Sequence, residues 1–277
     1  MKKSQLAINS VSNLPHPLEP VLDAYATVGF KNVEFCLQHV WDYLKEGHSP
    51  AEAREALTGR GLSCIGGFED IVECFTPKRQ RTKNHKQVLR NAELISSLGG
   101  NSIVVGTDGP SKALKPEVLI SEMGAVFAEI GDMIKHTGVT VCIEFNWSPV
   151  VKSFRTAAAI VRQARRKNVG VLFDPAHYHC TPTKFEQLTA KNIKTIKHVH
   201  VDDMRDIPGE LSDCNDDRAL PGKGCLDLKA LFGAIESHGY KGYFSIEMFD
   251  QKLWAMPPKK AARMMYASLE KLCTSRK

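Results

Sequence analysis

The chain lacks any apolar run approaching the ~20 residues needed to cross a bilayer, so no membrane partner is expected. Eight cysteines, at 36, 64, 74, 142, 180, 214, 225 and 273, include no Cys-x-x-Cys pair. Nothing in their placement suggests a disulfide framework, and several fall inside predicted strands, where cysteine acts as a small apolar residue. A reducing cytoplasm is the expected location. Lys2 and Lys3 are positive, but Gln5, Asn9 and Asn13 break up the apolar residues after them, so no secretory leader is expected. A glycine-rich phosphate loop is also missing: Ser12-Asn13-Leu14-Pro15 stand after the first strand, and Lys223 has no Walker spacing around it. Finally, no aromatics interleave with the basic stretch Lys78, Arg79, Arg81, Lys83, His85 and Lys86. Despite a net charge of +6, that stretch reads as a solvated helix face, and no nucleic-acid partner is expected.

What is present is an ordinary globular composition, 43% hydrophobic and 25% charged. Strand-like and helix-like stretches alternate eight times. The strands are expected at 5–11, 32–37, 63–68, 101–106, 140–144, 169–174, 196–200 and 243–247. Helices are expected between them, among them 18–28, 84–98, 116–137, 153–167, 183–192, 226–238 and 258–273. Ser49-Pro50-Ala51-Glu52 carries an N-cap and a first-turn proline. Eight such units in 277 residues predict an α/β chain folded as a single (β/α)₈ TIM barrel domain over 1–277. A doubly wound open sheet is the structural alternative. The long irregular connection from Asp202 to Gly224 is expected to form a rim or lid at the barrel mouth.

Four strands end in residues that bind cations. Thr140-Val141-Cys142-Ile143 runs into Glu144; Val169-Gly170-Val171-Leu172-Phe173 into Asp174; Ile196-Lys197-His198-Val199 into His200; Tyr243-Phe244-Ser245-Ile246 into Glu247. Each alone has a bland reading as an ion pair, a turn cap or a core histidine. Together, three carboxylates and one imidazole at the carboxyl end of one barrel repel one another unless a cation joins them. Three oxygens and one nitrogen suit one divalent metal ion, Mn, Co, Zn or Mg, with positions left for a ligand. His198 is expected to pack between strand and helix, facing away from His200. His179 and Tyr178 read equally as mouth or loop residues, and Trp41, Phe68 and Trp147 as rim packing, with an apolar wall against a sugar ring as the alternative.

These residues resemble the xylose isomerase-like barrels, which include the tagatose-epimerase type, and within them the inosose isomerases of inositol catabolism. The likeness is carried by Asn168 to Asp174 with His177 and His179, by His200-Val201-Asp202-Asp203, by Arg218 with Pro221-Gly222-Lys223-Gly224, and by Ser245 to Phe249. It implies that Glu144, Asp174, His200 and Glu247 bind the metal, that His177 and Arg218 contact substrate, and that Glu144 and Glu247 are the catalytic acid and base. The implied activity is isomerisation or epimerisation of a keto-polyol or ketose, of the 2-keto-myo-inositol type, by proton transfer through a metal-bound enediolate. The implied partner is that small molecule, and the family's members are often homo-oligomers. One departure stands out: the tagatose epimerases carry a further Glu shortly after the strand-five ligand, where this chain has Asn146-Trp147-Ser148-Pro149. Two alternatives share the barrel. A dehydratase of the inosose or 3-dehydroshikimate type would take the same proton and then expel a hydroxyl. An endonuclease IV-like apurinic-site nuclease would need extra metal ligands near Glu34, Glu69 and Asp108.

Overall fold

The computed structural model describes residues 1–273. Eight parallel strands close on themselves: β1 (Leu6–Asn9), β2 (Asn32–Cys36), β3 (Ser63–Val72), β4 (Ser102–Thr107), β5 (Thr140–Glu144), β6 (Val169–Phe173), β7 (Ile196–Val201) and β8 (Phe244–Ile246). Each pairs with its neighbour in sequence, and β8 returns to β1 with Leu6 opposite Phe244 and Ile8 opposite Ile246. Closure excludes the open doubly wound sheet. It also leaves no exposed strand edge on the barrel.

The surrounding helices follow from local chemistry. Leu18–Val28 ends at Gly29, whose φ of 114° is a left-handed stop that a side chain would strain. Pro50–Thr58 opens on the Ser49–Glu52 capping box, with both reciprocal bonds made. Lys78–Ser97 starts six residues before the expected 84, so the basic stretch occupies its first turns, with Lys78, Arg79, Lys83 and Lys86 exposed. The expected helix over 183–192 does not form. That stretch holds a 3₁₀ turn at Phe185–Gln187 and one helical turn at Ala190–Ile193, restarted by Thr189 accepting from the Asn192 amide. Lys184, Glu186 and Gln187 give it no apolar stripe to bury.

Most of the core lies between strands and helices, but Val104, Cys142 and Leu172 form a small apolar group of their own, with Phe68 packed against it. Side chains alternate faces along a strand with period two. The face that holds Cys142 and Leu172 therefore also holds Glu144 and Asp174 two residues on. Burial pushes the Cys142 thiol up to about 12, so it stays protonated and serves as a packing group. All eight cysteines are free thiols. Among the described residues, no helix is long and apolar enough to cross a membrane.

Close approach of β3 to β4 depends on Gly66. A Cβ there would stand 2.1 Å from Ser102 Oγ and 2.4 Å from the Ser102 carbonyl oxygen, inside van der Waals contact with backbone. Gly66→Ala is expected to destabilise the chain by about 1–3 kcal/mol through overpacking. Urea unfolding followed by circular dichroism measures this; an unchanged midpoint would show that the strands separate without cost.

Candidate metal centre and active-site cavity

Strand register delivers the site. Glu144 is the last residue of β5 and Asp174 the first beyond β6; His200 lies within β7 and Glu247 directly after β8. All four are buried, and one donor atom from each lies within 4.8 Å of the other three. A metal–ligand radius of about 2.1 Å puts opposite donors about 4.2 Å apart, so the donor set and its spread fit one divalent ion.

The charge arrangement points the same way. His200 Nδ1 faces Glu247 Oε2 at 3.2 Å, Asp174 Oδ2 at 3.3 Å and Glu144 Oε1 at 3.9 Å. Burial works against a charged His200, but the Glu247 and Glu34 carboxylates outweigh it and raise its pKa well above the ordinary range. In the chain by itself, a proton on Nδ1 thus stands where a cation belongs. Burial likewise opposes ionised Asp174, yet Arg218, His177 and His200 hold it well below the usual carboxylate range. Asp202 goes the other way: burial first, then the Asp174 and Glu247 charges, drive it well up despite Arg218.

Arg218 reaches the cluster from outside the barrel. After β7 the chain makes a two-stranded antiparallel ribbon, Asp203–Met204 with Arg218–Ala219, so the long connection is a structured rim. Arg218 Nη1 donates to Glu247 Oε2 and to the Glu247 carbonyl, both at 2.9 Å, and Nη2 lies 3.3 Å from Asp174 Oδ2. Its guanidinium also sits 5.1 Å from the centre of the Phe249 ring. The Pro221-Gly222-Lys223-Gly224 turn has a structural reason here. The Asp203 carboxylate accepts from the backbone amides of Met204, Gly222, Gly224 and Leu226, and a Cβ on Gly224 would stand 2.2 Å from the Met204 carbonyl. The Gly222 and Gly224 amides are thus spent on Asp203 and that of Lys223 on the Leu220 carbonyl, and the Lys223 side chain is exposed.

Above the cluster lies a cavity of about 400 Å³, bordered by Glu144, His177, Arg218 and Glu247 and by Phe68, Trp147 and Phe249. His177 Nε2 is 3.1 Å from Glu144 Oε1, and its Nδ1 is 3.0 Å from the Asn146 amide nitrogen. Asn146, two residues after Glu144, holds a φ of 77°. All six residues singled out in the sequence therefore meet at one place. Phe68 and Trp147, expected as rim packing, instead line the cavity in an edge-to-face pair 6.2 Å apart. Trp41 borders a separate depression, and His179 is tied to the Ile207 carbonyl at 2.8 Å.

One expectation is overturned. His198 does not face away from His200: residues two apart on a strand share a face, and both rings point to Glu34, at 3.0 and 3.1 Å. Glu34 itself, fully buried, was visible in the sequence only as an acid on strand two. Asn9, whose amide donates to Glu247 Oε1 at 2.9 Å, gave no signal at all. Neither the closure that brings β1 and β2 beside β8 nor the reach of these side chains is written in local pattern. Near the strand ends where the nuclease would need extra ligands, Asp108 caps the Cys74 and Phe75 amides, and His39, the histidine that follows strand two, binds Ser10 and the Leu14 and His16 carbonyls, so neither joins the cluster.

A family model described as the xylose isomerase-like TIM barrel matches residues 22–272. An inosose isomerase of Bacillus velezensis is 33% identical over 79% of this chain and 82% of its own length. A 3-dehydroshikimate dehydratase of Pseudomonas putida is 26% identical over 95% of this chain but only 40% of that longer protein. Among solved structures, the IOLI protein with a bound zinc atom superposes with a TM-score of 0.87, at 23% identity and 97% coverage of both chains.

Since His200 holds a proton on the nitrogen that faces the carboxylates, binding of a divalent ion is expected to release it. Zinc titration by calorimetry in two buffers of different ionisation enthalpy should show about one proton released per ion. Apparent affinity should weaken as pH falls, because protonation of His200 competes. Binding with no proton release and no pH dependence would place the ion elsewhere.

Proposed function

Because the chain belongs to the xylose isomerase-like TIM barrel family, we propose that it is a divalent-metal-dependent isomerase of a keto-polyol of the 2-keto-myo-inositol type. The observation that carries this reading is the convergence of Glu144, Asp174, His200 and Glu247 on the floor of a cavity sized for a small polyol. Those four would hold the ion, which when bound supplies Lewis-acid polarisation of a carbonyl and the neighbouring hydroxyl.

The chain's own residues do the rest. Glu144 and Glu247 come from strands three places apart in the closed order, so they border the cavity on different sides. One takes the proton from the carbon beside the carbonyl, and the other returns it from the opposite face. Hydrogen bonds hold both carboxylates in place: His177 at Glu144, Asn9 and Arg218 at Glu247. His177 Nε2 also reaches a substrate hydroxyl, and the Arg218 guanidinium steadies negative charge on the substrate oxygens. Phe68, Trp147 and Phe249 cover the C–H face of the ring and exclude water. A reducing cytoplasm suits eight free thiols.

The dehydratase relatives sustain a second reading, in which the same proton is removed and a β-hydroxyl is then expelled. Incubation of the metal-loaded protein with 2-keto-myo-inositol in D₂O separates the two. The isomerase incorporates deuterium beside the carbonyl and yields a new keto-inositol with no ultraviolet band. A rising band from a conjugated carbonyl would assign the dehydratase, and no exchange would refute both. Glu247→Gln should keep the wild-type circular dichroism spectrum and lower kcat by about 10²–10⁴-fold; wild-type turnover in that variant would remove Glu247 from the mechanism.

A further inference from the structure

The barrel interior also holds a buried acid that the proposed reaction does not use. Glu34 is completely buried, and an isolated carboxylate there would cost several kcal/mol in lost hydration. Two imidazoles stand against its carboxyl group, His198 Nε2 at 3.0 Å and His200 Nε2 at 3.1 Å. β2 itself runs in unbroken register against β1, with Asn9 opposite Glu34; the extra residue in its pairing with β3 is Ile65, on β3.

The bonds around Glu34 have a direction. Ser102 donates its hydroxyl proton to the Ile65 carbonyl at 3.1 Å, so its oxygen accepts from His198 Nδ1 at 3.3 Å. His198 Nε2 lies 3.0 Å from Glu34 Oε2 without hydrogen-bond geometry, so it is a neighbour of the carboxylate and not its donor. On its other side, Glu34 meets His200 Nε2 with both oxygens, at 3.1 and 3.2 Å. A carboxylate accepts only, so His200 Nε2 is the donor. Its Nδ1, turned toward Glu144, Asp174 and Glu247, is then the nitrogen left to ligate.

We propose that Glu34 is a positioning residue that locks His200 in the tautomer whose Nδ1 binds the metal. This rests on the ligand assignment made under the proposed function. Partners of this kind fix ring orientation and raise ligand basicity, and their loss typically lowers metal affinity about 10–100-fold. A second cation between Glu34, His198 and His200 is the rival account, since their donor atoms also lie within 4.8 Å of one another. It is disfavoured because His200 would have to give up both ring protons to bridge two ions.

Glu34→Gln tests the proposal, with zinc as the probe. Gln can accept through one oxygen only and presents an N–H₂ to the other partner. Zinc affinity, measured by competition with a chromophoric chelator, should fall about 10–100-fold at one equivalent per chain. Long-range ¹⁵N–¹H spectra of the wild-type zinc protein should show His200 protonated at Nε2 alone; this needs no variant and stands even if Glu34→Gln fails to fold. A folded variant with unchanged zinc affinity, or His200 ligated through Nε2, would overturn the role of Glu34. So would two zinc equivalents in the wild type with one lost in the variant, which would establish the second cation site. Zinc binding that survives Asp174→Asn combined with Glu247→Gln would instead remove the ligand assignment itself, and with it both proposals.

Discussion

The site rests on an electrostatic imbalance. Glu144, Asp174 and Glu247 are turned into one small volume at the mouth of a dry barrel, where like charges repel far more than in water. Arg218 supplies one permanent positive charge, spread over Asp174, Asp202 and Glu247. His200 can supply a second. The compensation is built from two sources, a barrel strand and an inserted ribbon. Under the proposed function, a divalent ion would complete it and free His200 to become neutral.

The reach of this constraint into the fold is long. Fixing His200 requires Glu34 from β2, and fixing Glu247 requires Asn9 from β1. His198 needs Ser102 on β4, and Ser102 needs the missing Cβ of Gly66 on β3. Polar groups from all eight strands or their ends are thus tied into one interior network, which half-satisfied would cost more than an apolar core. That network takes the space that purely apolar barrels fill with layers of branched side chains.

The barrel and its four acidic or imidazole strand ends were legible in the sequence because they obey local rules. An apolar run broken by Glu, Asp or His marks both the strand and the end at which chemistry gathers. Arg218 was legible only through the Arg-x-x-Pro-Gly-x-Gly likeness; its position depends on a ribbon of two-residue strands too short to leave a pattern. Glu34 and Asn9 were not legible as partners of the site, since their roles exist only once β8 closes against β1. The face given to His198 was a misapplied alternation: the period of two that hid it also reveals it. The helix expected over 183–192 shows the opposite limit, where polar residues with helical propensity had no apolar stripe to dock.

The base of the rim ribbon has a consequence for how such a protein can change. Asp203 gathers four backbone amides and so clamps the two ends of the insertion together, immediately beside Arg218. Between those ends, the residues from Arg205 to Asp217 form a closed excursion whose length costs little, because loop entropy grows only slowly with size. The tip can therefore lengthen, shorten or change chemistry so long as the Cys214 carbonyl, which accepts from Arg218 Nε at 2.8 Å, keeps its place beside the guanidinium. A reaction held constant by the barrel floor and a mouth free to vary are separable parts of one chain, and the hinge of that separation is a single buried aspartate.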